Sequence, residues 1–125
     1  MATWVILFAV VLMVPGLMIL FGWLMYKNPP EQINNVYGYR TAMSMKNDDT
    51  WRFANMYFGR ISIKLNVAVM IIAALIMLVL LPYDKDTIAT WGTVLTISET
   101  AVIIITIPFT ESALRRKFDR NGNPK

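Results

Sequence analysis

The sequence has 125 residues, 56% hydrophobic and only 16% charged, with a net charge of +4. Soluble domains usually carry roughly 25% charged residues. Cysteine and histidine are both absent, which excludes disulfides, thiolate chemistry, and the commonest metal ligand and general base.

The length fits a single domain. Its apolar residues fall in blocks. Ala2–Tyr26 and Leu65–Tyr83 contain no charge, and Thr87–Thr110 contains one, Glu99. Each block reaches the ~18–20 residues that cross ~30 Å of hydrocarbon as a helix. No water is available there to satisfy the backbone, so helix is the expected state. The fold class is therefore an all-α integral membrane protein with three transmembrane helices. The lipid bilayer is its first partner, and the positive charge reads as orientation in the membrane, with no nucleic acid implied.

The first span is expected over about residues 3–26. No Lys or Arg precedes Lys27, and the apolar run is too long for a signal peptide, so it reads as an uncleaved helix. Pro15 cannot bond back to the Val11 carbonyl, which predicts a kink and a free acceptor. Trp4, Trp23 and Tyr26 sit where interfacial anchors belong.

Residues 27–60 form the polar motif segment. Asp48-Asp49-Thr50 reads as a helix start, with Thr50 or a neighbouring Asp as N-cap. No proline lies between Trp51 and Leu81. One helix can run the whole way, about 45 Å at 1.5 Å per residue. The second span, about 61–81, is then extended by a projecting cytoplasmic or interfacial helix. Trp51, Asn55, Gly59, Ser62 and Asn66 share one face of it. Small and polar residues on one side suit close packing in lipid.

The third span is expected over about 87–109, followed by a tail, 110–125. The tail reads as a short basic helix capped by Thr110, stopped at Asn121-Gly122 and frayed beyond. Lys and Arg concentrate in the 27–64 connection and in the tail, while the 82–86 turn has one and the N-terminus none. With three spans those two segments share a side. The positive-inside rule puts that side, and the C-terminus, in the cytoplasm, with the N-terminus outside.

Glu99 is the sharpest anomaly. It lies near mid-span, where a carboxylate costs at least ~2.5–3.5 kcal/mol. Gly92, Thr96, Thr106 and Thr110 fall on roughly its face. Glu99, Asn66, Thr96 and Thr106 make a candidate intramembrane site, although Asn66 lies more than a turn nearer the cytoplasm. Two readings stand side by side: a proton or cation site, and a neutral acid bonded to a neighbouring helix or a second protomer. A protonated Glu99 has the freed Val11 carbonyl as one acceptor. Arg40, in a turn-rich segment, has Glu31, Asp48, Asp49 or an anion as partners. Trp51 reads first as an interfacial anchor. No phosphate loop, metal-ligand cluster or nucleophile–base set fits, so neither enzyme, metal nor cofactor is expected.

Asn35, Gly38-Tyr39-Arg40-Thr41, Ser44, Asn47, Trp51, Asn55 and Gly59 carry a resemblance. The pattern is an Asn, then G-[YF]-R-T, a short polar spacer, W with N four residues on, and a Gly beyond. It resembles the signature of the SdpI family of bacterial membrane proteins, in a short, single-module form. One span before the motif and two after fit its layout. The resemblance implies a multi-pass protein of the bacterial cytoplasmic membrane. The family's namesake protects a producing cell from its own secreted toxic peptide and holds a repressor at the membrane. Candidate partners are then a toxic peptide or a cytoplasmic regulator. The motif candidates are Asn35, Gly38, Tyr39, Arg40, Thr41, Trp51, Asn55 and Gly59. Alternatives are a small proton- or cation-coupled transporter using Glu99, which would need a homo-oligomer, and an accessory subunit of a larger membrane complex.

Overall fold

The computed structural model describes all residues from Met1 to Lys125. It contains three helices, α1 (Ala2–Lys27), α2 (Asp48–Val79) and α3 (Lys85–Lys117), and no sheet. All three are long and apolar enough to cross a membrane. Their large apolar side chains, such as Ile6, Leu17, Ile71, Leu75, Ile97 and Ile104, point outward. A lipid-facing exterior accounts for that arrangement, because hydrocarbon does not drive such groups inward.

Helix α1 stays helical through Pro15, which is buried together with Val11. Helix α2 begins where the acids lie, but its N-cap is Asn47. The Asn47 side chain accepts from the Thr50 N–H, and the Thr50 hydroxyl accepts from the Asn47 N–H, at 2.9 and 3.0 Å. Thr50 is therefore the third residue of a capping box, not the cap. Helix α2 then runs 32 residues without a break, about 48 Å at 1.5 Å per residue.

Helix α3 corrects the reading of the tail. It passes through Pro108 and on to Lys117, so the basic segment continues the third span and is no separate helix. Thr110 is not a cap. It lies buried inside the helix and donates to the Thr106 carbonyl at 2.9 Å. The end of the chain also does not fray. Phe118 pairs with Pro124 in an antiparallel bridge, and the Gly122 carbonyl accepts from Asn47 Nδ2 at 2.8 Å. Gly122 adopts a φ of +84°, which glycine supplies without strain. The Asn-Gly pair makes a turn back onto α2.

The interior has three zones. At one end Val11, Ala73, Met77, Leu80 and Ile88 form an apolar cluster. There Trp4 Nε1 donates to the Met77 carbonyl at 2.7 Å, which also accepts from the Leu80 N–H at 3.2 Å near the end of α2. At the other end Tyr39, Ala54, Phe58, Leu114 and Phe118 form a second cluster. Between them the buried positions of α2 and α3 are polar: Ser62, Asn66, Glu99 and Thr106.

Helices α1 and α2 cross at Gly22 and Gly59, where backbone meets backbone. A Cβ on Gly59 would lie 2.5 Å from the Gly22 carbonyl oxygen, and one on Gly22 would lie 2.7 Å from that of Gly59. Neither backbone can yield without parting the helices. Gly59→Ala is expected to cost about 1–3 kcal/mol through overpacking. Thermal unfolding in detergent would show this as a lower midpoint. An unchanged midpoint would mean that the crossing is looser than this.

Candidate functional site: a motif loop seated on the start of helix two

The loop between α1 and α2 is held by side chains from the first two turns of α2. Asn55 is buried within that helix and uses both ends of its amide. Its Oδ1 accepts from the Tyr39 N–H at 2.7 Å, and its Nδ2 donates to the Trp51 carbonyl at 2.9 Å. Trp51 has no exposed surface, and its Nε1 donates to the Pro30 carbonyl at 2.7 Å. It is a buried clamp on the loop and not the interfacial anchor expected from sequence. Gly38 must be glycine for two reasons. Its φ is +107°, and a Cβ there would stand 2.7 Å from Asn55 Oδ1 and 3.3 Å from Trp51 Cη2.

Beyond Tyr39 the chain turns on a pair of hydroxyls. The Thr41 N–H donates to Ser44 Oγ at 2.8 Å, and the Ser44 N–H donates to Thr41 Oγ1 at 3.2 Å. The Ser44 hydroxyl lies 3.1 Å from the Tyr39 carbonyl, which it can donate to. The Tyr39 ring packs on Phe58 with centroids 5.3 Å apart. Its hydroxyl donates to Glu111 Oε1 on α3 at 2.6 Å. The motif thereby joins all three helices, with the Gly22–Gly59 contact below it.

Burial of the Tyr39 phenol, then its bond to the Glu111 carboxylate and that group's charge, raise its pKa well above the usual tyrosine value. Tyr39 therefore stays protonated and keeps donating throughout the physiological range.

Arg40 stands apart. It is exposed, and its guanidinium has one polar contact, Asn35 Oδ1 at 3.4 Å. Glu31, Asp48 and Asp49 do not pair with it. A groove of about 250 Å³ opens beside it, with Phe21, Phe58, Ile103 and Ile107 as its apolar walls and Tyr39 and Thr41 at its edge.

The sequence-predicted motif residues thus divide. Gly38, Tyr39, Thr41, Trp51, Asn55 and Gly59 come together, while Asn35 and Arg40 lie on the outside. The family model described as the SdpI/YfhL protein family matches residues 31–110. The chain belongs to the SdpI/YfhL family. It is also 48% identical over 48 residues to an uncharacterized protein, YfhL, of Bacillus subtilis (strain 168). That match covers 38% of this chain and 44% of the relative. No solved structure matches it.

Within this SdpI-family chain, several partners of the motif were not among the sequence-predicted residues. Pro30, Gly22, Glu111 and Gly122 all hold or contact motif side chains or the Asn47 cap. Gly22 carried a signal, since a glycine in an apolar span marks close approach. Pro30, Glu111 and Gly122 carried none, because a backbone carbonyl or a distant acid acquires its role only from the tertiary fold.

The intramembrane candidates make no hydrogen bonds to one another. Glu99 is 1% exposed and neither carboxyl oxygen has a hydrogen-bond partner, the Val11 carbonyl included. Asn66 Nδ2 donates to the Ser62 carbonyl at 2.9 Å, while its Oδ1 and the Ser62 hydroxyl are unpartnered. Thr96 and Thr106 donate to carbonyls of their own helix, Gly92 at 3.0 Å and Ile103 at 2.5 Å. No threonine therefore satisfies Glu99. Glu99 is enclosed by residues of its own chain.

The raised Tyr39 pKa has a consequence for stability. Above the usual value of 10.0 an unfolded tyrosine loses its proton while the folded one keeps it. The native state then binds more protons, so this contribution is full below pH 10 and declines as pH rises further. The decline approaches about 1.4 kcal/mol per pH unit. Denaturation of the wild type and Tyr39→Phe in detergent between pH 8 and 11 checks it. The wild type should lose stability more steeply above pH 10, and parallel curves would refute the assignment.

Proposed function

We propose that this SdpI-family membrane protein works by binding a membrane-active peptide in the bilayer, giving immunity to it or sensing it, and that it is not an enzyme. The observation that carries this reading is the groove beside Arg40. It combines apolar walls from Phe21, Phe58, Ile103 and Ile107 with one exposed cation. An amphipathic peptide offers the matching chemistry: an apolar side chain for the groove and a carboxylate for the guanidinium. The other motif side chains are engaged in holding the loop, which suits a rigid binding edge more than a reacting centre. In this proposal the groove faces the cytoplasmic half of the membrane, with the N-terminus outside.

Survival of cells challenged with a secreted membrane-active peptide tests the proposal. Cells carrying the protein should survive doses that kill cells lacking it. Arg40→Ala and Ile103→Trp should each reduce that protection by at least about tenfold at equal protein levels, by removing one charge-assisted contact of ~1.5–3 kcal/mol or filling the groove. Protection unaffected by both variants would exclude the groove as the binding site.

A second reading, proton- or cation-coupled transport, is favoured by the unpartnered Glu99 carboxyl in the bundle core. If it holds, Glu99→Gln should abolish pH-driven flux in liposomes containing the protein. Flux equal to that of the wild type at every pH would remove Glu99 from any such role.

A further inference from the structure

A second recess lies on the other side of α2 and shares no lining residue with the groove beside Arg40. It has a volume of about 430 Å³. Its floor is apolar and aromatic, with Phe53, Met56 and Tyr57 among its residues. Its cations are Arg52 and Arg60 from α2 and Lys117 from the end of α3, against one acid, Asp49. Arg52, Met56 and Arg60 follow at intervals of four and so line one face of the helix. All three cations are exposed. Arg52 and Arg60 have no carboxylate partner, and Lys117 Nζ sits 4.6 Å from the centroid of the Phe53 ring.

Depth identifies the occupant. Arg60 precedes Leu65, the start of the charge-free run of α2, by about 7.5 Å along the axis at 1.5 Å per residue. The polar layer of a leaflet is of that thickness, about 5–7.5 Å beyond the hydrocarbon edge. Tyr26, also on the wall of the recess, is the last residue of the charge-free block of α1. The recess therefore begins at the hydrocarbon boundary, beside Tyr26 and Arg60, and extends outward past the headgroup layer, with Arg52 about 12 Å further along the axis of α2 than Arg60. Arg60, without a carboxylate partner at that depth, together with Lys117 and the apolar side chains of the same recess, complements a phosphodiester anion carrying acyl chains.

We propose that the inner part of this recess, at Arg60 and Lys117, is a binding site for the headgroup of an anionic phospholipid. The lipid bridges α2 and the end of α3 on the face opposite the motif groove. Arginine supplies paired donors to phosphate oxygens, and Lys117 supplies a point charge steadied by the Phe53 ring.

Native mass spectrometry of the full chain, titrated with phosphatidylglycerol or phosphatidylcholine of matched acyl chains, tests this. Phosphatidylglycerol should bind saturably and more tightly than phosphatidylcholine. Arg60→Ala with Lys117→Ala should weaken it about 25-fold, or about fivefold per cation. Arg115→Ala with Arg116→Ala removes the same charge outside the recess and should leave affinity within about twofold. Met56→Trp fills the floor without altering charge and should also weaken binding, so it decides the matter if the charge variants do not fold. Soluble glycerol 3-phosphate should not displace the lipid. Equal binding of the two lipids, equal losses in the two double variants, unaltered binding by Met56→Trp, or displacement by glycerol 3-phosphate would each overturn the proposal.

Discussion

The upper half of the molecule depends on one hydrogen bond, from the Tyr39 N–H to the Asn55 side chain. A buried amide can satisfy a loop only if the loop comes to it. Gly38 permits that approach because a side chain at its position would collide with the same Asn55 oxygen. Trp51, one turn earlier, fixes the other strand of the loop through Pro30. Once the loop is seated, Tyr39 is aimed at α3 and Glu111. Local geometry on α2 thus determines how the third helix is attached. Loss of this bond would leave a buried N–H unpaired, at about 1–3 kcal/mol, and would also free the tyrosine.

Below this region the packing is that of a membrane bundle. Two apolar clusters sit at the ends, and the polar residues sit between them. Water cannot satisfy Glu99, Asn66 and Ser62 through the surrounding lipid, so each is placed where protein surrounds it. The threonines of α3 donate to carbonyls one turn back, which makes them compatible with a dry interior, and none of them is bonded to Glu99. Polarity in the core is therefore of two kinds: satisfied within a helix, as at Thr110, or unmet, as at Glu99.

The sequence made some of this plain and concealed the rest. Charge-free runs imposed three helices because backbone groups in hydrocarbon have no alternative. The four-residue spacing of Trp51, Asn55 and Gly59 put them on one face, where the structure also has them. Long-range partners were hidden. Nothing in Glu111 distinguishes a hydrogen-bond acceptor for Tyr39 from an ordinary helix-surface acid. The Pro108 region misled for a definite reason. Proline usually signals an end, yet on a membrane helix the missing bond is tolerated, and α3 continues through it. Asn47 lay one residue ahead of the expected caps, and only the reciprocal bonds with Thr50 distinguish it from Asp48.

The contact between Asn47 and Gly122 bears on how the chain is made. The Asn47 side chain caps α2 locally through its oxygen, but its amide nitrogen finds a partner only in a segment 75 positions later. During synthesis α1, the loop and α2 can assemble in the membrane while that amide nitrogen still faces water. The joint closes after residue 122 has left the ribosome. Assembly of this region therefore ends with a docking step on the polar side of the bilayer, separate in time from insertion of the spans.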